Sequence, residues 1–258
     1  MSENNKKAYN SDKVVKNYTE KFFLFKGENN LIERLKNNSN NGKMLDIGIG
    51  TGRTTHFFAK YFDKYVGIDY AGNMIKFAKE KYKDKSNCSF YELDATNMSI
   101  FNDNEFDFIL FSFNGLDCVT IDDRIKILKE IKRVAKNGAI FSYSTHNIYN
   151  IPKLFKFRMP RNPLNIPGEI KRFKKINSIN EKPDVLIQKD FDIITDGDIN
   201  FSVQYYYCNI GYEIESITKL GFSPFEFYSL KTGERYKKNT EWSKVDTPWI
   251  LINSYINE

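Results

Sequence analysis

The stretch Met44-Leu45-Asp46-Ile47-Gly48-Ile49-Gly50-Thr51-Gly52-Arg53 joins a short apolar run to a helical pattern through glycines at every second position. Lys43 to Ile47 reads as a buried strand, and Thr54 to Phe62 carries Phe57, Phe58, Ala59 and Phe62 at the spacing of one helix face. A strand-to-helix turn without β-carbons lets a ligand lie against main-chain amides and their dipoles. An ordinary glycine turn capping a strand would share the spacing, but strand, acid and helix together point to a binding turn.

The dinucleotide fingerprint G-x-G-x-x-G wants a small residue at position 53, and an arginine stands there. The pattern is instead D-x-G-x-G-x-G, with Asp46 two residues before the first glycine. A carboxylate in that place repels a pyrophosphate and suits a ligand carrying an ammonium group and a sulfonium. These residues resemble the first motif of the class I S-adenosylmethionine-dependent methyltransferases, whose corresponding loop holds the methionine part of the cofactor. The resemblance implies that Asp46, Gly48, Gly50 and Gly52 bind S-adenosylmethionine and its product S-adenosylhomocysteine. A nicotinamide enzyme is the alternative if the motif has another meaning.

Further along, Tyr65 to Asp69 is a second strand ending in an acid 23 residues after Asp46, where a carboxylate can accept from both ribose hydroxyls. A helix N-cap is the plainer role for Asp69. Tyr70-Ala71-Gly72-Asn73-Met74-Ile75 resembles the family's second motif, which implies that Tyr70 and Met74 border the adenosine. After a helix from Met74 to Tyr82, Ser89 to Leu93 is the third strand. It ends at Asp94-Ala95, where the family commonly places an acid on the adenine amino group and an amide on a ring nitrogen; a plain loop aspartate fits as well. Phe106 to Phe113 is a fourth strand, continuously apolar as expected when both faces are covered, and Phe111 and Ser112 at its end count among the cofactor residues. A helix from Asp122 to Lys136, stopped by Asn137-Gly138, leads to strand five, Ala139 to Tyr143.

Before the turn, residues 1–13 read as mobile. Val15, Tyr18, Phe22 and Phe25, then Leu31, Ile32 and Leu35, suggest two helices broken at Lys26-Gly27, with a loop over 37–42. The tyrosines from Tyr9 to Tyr18 resemble the N-terminal helices that fold over the cofactor in small-molecule methyltransferases, which gives Tyr18 a cofactor role; packing on the sheet edge serves equally. Strand-helix alternation predicts a parallel, doubly wound α/β sheet with its ligand at the carboxyl ends of the strands. The resemblance covers Met44 to Asn147. It implies a Rossmann-like, seven-stranded, mainly parallel sheet with a lid insertion before the last strands. One domain is expected, divided into N-terminal helices (1–42), cofactor-binding core (43–147), basic insertion or substrate lid (148–208) and C-terminal strands (209–258). Within the insertion, strands are expected around Asp184 to Ile194 and Asn200 to Tyr207, followed by a helix from Ile210 to Leu220 and strands from Ser223 to Leu230 and Pro248 to Tyr255.

Phe111-Ser112-Phe113-Asn114-Gly115-Leu116-Asp117 and Ser144-Thr145-His146-Asn147 look like small-molecule methyltransferases of the ubiquinone or sugar-modifying kind. Methyl transfer from a sulfonium is an in-line displacement in which positioning can supply ~7–11 kcal/mol, and Phe111, Phe113, Tyr206 and Tyr207 could wall off water. A hydroxyl nucleophile needs a base. Of two histidines, His56 lies beside Phe57 and Phe58 and reads as structural. His146, just past strand five, is the candidate base, with Asn114 or Asp117 orienting it or the substrate; it could instead bind without moving a proton. This favours O- over N-methylation. Asp117, His146 and Asp122 lack the spacing of a metal site, and no metal is expected.

Hydrophobic residues make up 41% and charged residues 28% of the 258, ordinary globular usage. Phe (22) and Tyr (16) are abundant, as coding bias would also produce. No run of about 18 apolar residues suggests a membrane span. Cys88, Cys118 and Cys208 are odd in number and lack C-x-x-C spacing, so a reducing, cytoplasmic setting is expected, with no membrane partner. Net charge is +6, yet 147–182 holds nine Lys or Arg against two Glu, leaving −1 for the rest. Arg158, Arg161, Lys171 and Arg172 could clamp a phosphate, making the acceptor an anionic metabolite such as a nucleotide-linked sugar. Basic and aromatic residues alternate in Phe155-Lys156-Phe157-Arg158, which leaves an RNA methyltransferase open. A solvated charged face and a catalytically silent cofactor-binding subunit are the remaining readings.

Overall fold

The computed structural model describes residues 9–19, 23–36 and 42–257. Phe22, most of the 37–42 loop and most of the 1–13 tail lie outside the described residues.

Helices α1 (Asp12–Thr19) and α2 (Lys26–Lys36) precede β1 (Lys43–Ile47), α3 (Thr55–Phe58), β2 (Lys64–Asp69), α4 (Gly72–Lys81), β3 (Cys88–Glu92) and β4 (Phe106–Phe111). Then come α5 (Ile121–Val134), β5 (Ala135–Asn147), α6 (Ile151–Leu154), α7 (Ile166–Ile179), α8 (Pro183–Leu186), β6 (Phe191–Ile194) and β7 (Tyr205–Cys208). The chain closes with α9 (Ile210–Lys219), β8 (Phe222–Ser229), β9 (Arg235–Tyr236) and β10 (Trp249–Ile256). The sheet runs β3-β2-β1-β4-β5-β10-β8-β9; β1 to β5 are mutually parallel, and β10 is antiparallel to both β5 and β8. Seven of these strands form the expected sheet. The additions are β9 and the antiparallel β6-β7 hairpin, whose β7 lies along the tip of β5.

Because a buried parallel strand presents apolar side chains to both faces, the β1 alternation divides the core in two. Leu45 and Ile47 pack with Ile127, Leu128 and Ile131 of α5 and Ile210, Ile214 and Ile217 of α9. Met44 packs on the other face with Leu31 and Leu35 of α2, Phe58 of α3 and Ile75 of α4. A third cluster, including Ile148, Phe155, Ile176, Leu186 and Val203, lies beneath the insertion.

Several expected boundaries move. The helix after the glycine turn is one α turn, Thr55–Phe58, continued by 3-10 geometry over Ala59–Tyr61. Helix α5 ends at Val134, two residues early, because amides of the preceding loop take its last carbonyls: Asn104 N–H donates to Arg133 O at 3.0 Å and Glu105 N–H to Val134 O at 2.7 Å. Strand β5 runs to Asn147, so His146 lies inside the sheet and not past it; β10 pairs Trp249 with His146, and β7 pairs Tyr207 with it. The expected strand from Asp184 instead starts with helix α8, where Pro183 supplies a preset φ at the first turn. Residues Asp198–Phe201 turn through left-handed backbone at Ile199 (φ +43°) and Asn200 (φ +57°), and a strand begins only at Tyr205.

Candidate functional site

At the end of β1 the chain turns through Gly48 (φ +67°), Gly50 (φ +56°) and Gly52 (φ +83°), a conformation that side chains resist. Gly48 and Gly50 border a crevice. Gly52 does not: a β-carbon there would stand 2.4 Å from Tyr82 Cε2, and the Tyr82 hydroxyl donates to its carbonyl at 2.6 Å. Gly52 thus shapes the turn by packing. Gly52→Ala is expected to cost about 2 kcal/mol from left-handed backbone and overpacking, read as a lower thermal unfolding midpoint.

Asp69, at the tip of β2, accepts from Gly50 N–H at 2.8 Å through Oδ2 and from Ala71 N–H at 2.9 Å through Oδ1. Each oxygen keeps a lone pair, and the residue borders the crevice. Burial pushes its carboxyl up to about 6, with the two amides working the other way. Asp46 sits behind the turn and off the crevice wall: its Oδ2 accepts from Thr54 and Tyr65 hydroxyls, while the buried Oδ1 has no protein partner. Burial raises it to about 7 against those hydrogen bonds. Asp94, Ala95, Tyr70, Met74, Phe111, Ser112 and Tyr18 all border the crevice. Asp94 Oδ1 is also held by Thr96 N–H and hydroxyl at 2.9 and 2.8 Å, and the buried Tyr70 hydroxyl has no protein partner. Thr51 donates to Tyr18 O at 3.0 Å, tying α1 to the turn.

Arg53, the residue that breaks the dinucleotide fingerprint, forms a buried two-pronged pair with Glu28 of α2 at 2.7 and 2.8 Å and donates to Ser112 Oγ at 2.9 Å. Burial opposes its charge, but Glu28 and Asp46 outweigh that and raise its pKa. The pair pins α2, the turn and the end of β4 together. Sequence reasoning missed Glu28; the signal was an arginine where a small residue belongs.

A second cavity of about 710 Å³ adjoins the crevice, within the ~300–1,000 Å³ span of small-molecule sites. Tyr9, Tyr18 and Phe113 border both spaces. His146 lies on the second wall. Its Nδ1 is 2.7 Å from Asp117 Oδ2, which also accepts its backbone N–H at 2.8 Å, and Nε2 is 3.3 Å from Asn114 Nδ2. The ring stacks on Tyr207 with centroids 4.5 Å apart. Asp117 is fully buried, its Oδ1 taking Arg124 and Thr145 at 3.0 Å each; it orients the histidine and cannot touch a substrate. Asn114 stands on the wall with Oδ1 buried and unpartnered.

Beyond Asp117, three expected substrate residues are corrected. Tyr206 faces away from the cavity, its hydroxyl donating to Glu213 at 3.3 Å and its ring lying 4.4 Å from the Arg124 guanidinium; strand alternation puts its neighbour Tyr205 on the wall instead. Tyr207 supports the wall from behind, stacked on His146 and donating to Asp196 Oδ2 at 3.0 Å. Arg158 borders neither space: it is exposed, with its backbone N–H on Glu169 and its guanidinium near Leu154 O. Arg172 is likewise occupied by Glu169 and the carbonyls of Leu154 and Lys156. Among the described residues, no phosphate clamp faces the site. His56 is exposed, edge-on to Phe57, and Asp122 is exposed on α5, apart from His146.

Sequence reasoning also missed Asp196, Asp198 and Trp249 on the second wall. Asp198 Oδ2 accepts from Tyr205 at 2.7 Å, and Tyr205 and Tyr9 hydroxyls are 3.2 Å apart. Among the described residues, neither wall carries a Lys or Arg. Four of the six non-glycine residues with positive φ among those described, Phe113, Asn114, Ile199 and Asn200, border this cavity. Backbone strain collects where surrounding structure holds a site in shape.

Residues 44–138 match the family described as methyltransferase domain. Over these residues the chain is similar to methyltransferase domains. The similarity includes the demethylmenaquinone methyltransferase of Staphylococcus saprophyticus, 34% identical over 128 residues, 46% of this chain and 53% of that one. A ubiquinone/menaquinone biosynthesis C-methyltransferase of Citrifermentans bemidjiense is 31% identical over 140 residues, 51% and 58% of the two chains. The chain spans about half the length of the curated relatives it matches. In fold, the chain is similar to an S-adenosylmethionine-dependent methyltransferase from Clostridium acetobutylicum, with TM-score 0.63 at 14% identity, covering 90% of this chain and 92% of that one. The 1,6-didemethyltoxoflavin-N1-methyltransferase of Burkholderia thailandensis, solved with its acceptor and S-adenosylhomocysteine, gives TM-score 0.60 at 11% identity, covering 93% and 81%.

Proposed function

We propose that the chain transfers a methyl group from S-adenosylmethionine to a small acceptor, neutral or positively charged, whose hydroxyl is deprotonated by His146. The shared wall carries this reading: a donor in the crevice and an acceptor in the second cavity meet across Tyr9, Tyr18 and Phe113. S-adenosylmethionine supplies an electrophilic methyl on a positively charged sulfur. The residues suit it. Asp69 offers two lone pairs to a ribose diol, Asp94 an acceptor further along the crevice, and buried Asp46 a negative field behind the turn that favours an ammonium group on the Gly48 and Gly50 side.

For the acceptor, Asp117 holds Nδ1–H of His146, which leaves Nε2 as the atom that takes a proton. Asn114 serves both protonation states, its Nδ2 donating to neutral Nε2 and its spare Oδ1 able, after the amide turns, to accept from Nε2–H. An amine acceptor needs no such base, so oxygen is the favoured nucleophile. Methylation of a ring carbon beside a deprotonated hydroxyl is the second reading, supported by the relatives named as C-methyltransferases. Among the described residues, a phosphorylated or nucleotide-linked acceptor finds no cation on the wall and meets Asp196 and Asp198 instead.

Calorimetric titration with S-adenosylmethionine, S-adenosylhomocysteine and NAD, followed by turnover with a panel of hydroxylated acceptors, tests the proposal. NAD binding without either sulfur ligand overturns it. Sulfur-ligand binding with no turnover anywhere in the panel identifies a silent subunit.

A pH dependence follows from the two buried acids. In the free protein Asp46 and Asp69 titrate at about 7 and about 6, and a ligand bearing a cation and a diol prefers both as carboxylates. Affinity for S-adenosylhomocysteine should therefore rise with pH between 6 and 7 and level off above, with protons released on binding inside that window. Titrations in two buffers of different ionisation enthalpy measure that release.

A further inference from the structure

Residues 156–175 carry seven Lys or Arg against one Glu, a balance of +6 that equals the net charge of the whole chain. The remainder is balanced, so the protein's positive field issues from this one stretch. The same stretch leaves large apolar side chains in solvent. Met159 is 75% and Leu164 85% exposed, and Phe157, Ile170 and Phe173 stand at 39, 41 and 37%. Helix α7 turns Ile176 into the third core cluster and Arg172 back onto Glu169, which leaves Ile170, Lys171 and Lys174 outward. Phe157 and Phe173 meet edge to face at 6.0 Å, joining the loop before α7 to the helix. None of these side chains borders the crevice or the second cavity.

We propose that this face docks on an anionic lipid bilayer, with Met159, Leu164 and Ile170 entering the headgroup boundary while Arg161, Lys171 and Lys174 meet lipid phosphates. A basic helix with outward apolar side chains lies in such an interface, drawn by buried apolar area and by the negative surface potential together. The contact is peripheral: among the described residues, no helix is long and apolar enough to cross a membrane. Nucleic acid fits less well, because the most exposed side chains are aliphatic and offer no ring for a base, and the two phenylalanines are turned toward each other.

Flotation of the full chain with vesicles of phosphatidylcholine alone and of an equimolar mixture with phosphatidylglycerol tests the assignment. Binding should require the anionic lipid and weaken with salt. Met159→Ser with Leu164→Ser, and separately Lys171→Glu with Lys174→Glu, should each lower vesicle affinity at least ~10-fold, with unchanged circular dichroism and thermal midpoint. Wild-type protein that fails to float with the anionic vesicles overturns the proposal. So does full binding by the serine variant, which would reduce the contact to charge alone. Retention of poly(U) on a filter without vesicle binding would give the face to nucleic acid.

Discussion

Asp69→Ala should bind S-adenosylhomocysteine ~10²–10³-fold more weakly than the unaltered chain, read by calorimetry at pH 8, where the carboxylate is ionised. The size comes from two losses. Hydrogen bonds to a charged group contribute about 1.5–3 kcal/mol each, and the variant removes the pair proposed for the ribose. It also releases Gly50 N–H and Ala71 N–H, the two amides that hold the turn and the start of α4 around one carboxylate. Asp69→Asn should fall between, since the carboxamide can still accept one amide but opposes the other with its own N–H. A dissociation constant within twofold of wild type for the alanine variant would mean that the donor lies elsewhere.

His146→Ala should lose a factor of ~10²–10⁴ in turnover, the ordinary range for removing a positioned general base, and keep its affinity for S-adenosylhomocysteine, because His146 is absent from the crevice wall. Asp117→Asn should move turnover the same way, since a carboxamide that presents N–H to Nδ1 stabilises the wrong tautomer. It also strips a partner from buried Arg124, so the comparison needs the pH–rate profile, in which a shifted or lost acidic limb marks the dyad and a uniform drop marks a disturbed fold. Full turnover by His146→Ala removes the base assignment while leaving the donor site intact.

The crevice at the strand tips was legible because its parts are local. A strand, a glycine turn, and acids at the tips of the next two strands fall on one edge once the chain alternates strand and helix, and Gly48, Asp69 and Asp94 do so. The second cavity was less legible because its wall is assembled from Tyr9, Asn114, His146, Asp198, Tyr205 and Trp249, which only the insertion of β10 between β5 and β8 and the pairing of β7 with β5 bring together. Tyr205-Tyr206-Tyr207 offers no alternation by which to choose a facing residue, and a one-residue frame decides it. Ser144 and Thr145 look like a loop, yet each buries its hydroxyl against a specific partner, Asn114 N–H and Asp117 Oδ1. The basic insertion misled for the opposite reason: its charge was visible, but its direction is a tertiary property.

Tyr9 and Tyr18 belong to both compartments at once. Whatever ordering of the first helix accompanies one occupant is therefore already in place when the other arrives, and linkage makes that help mutual. Titrations with one small molecule alone will understate how tightly the pair is held, and the order of addition in a screen will decide which weak acceptors are seen at all.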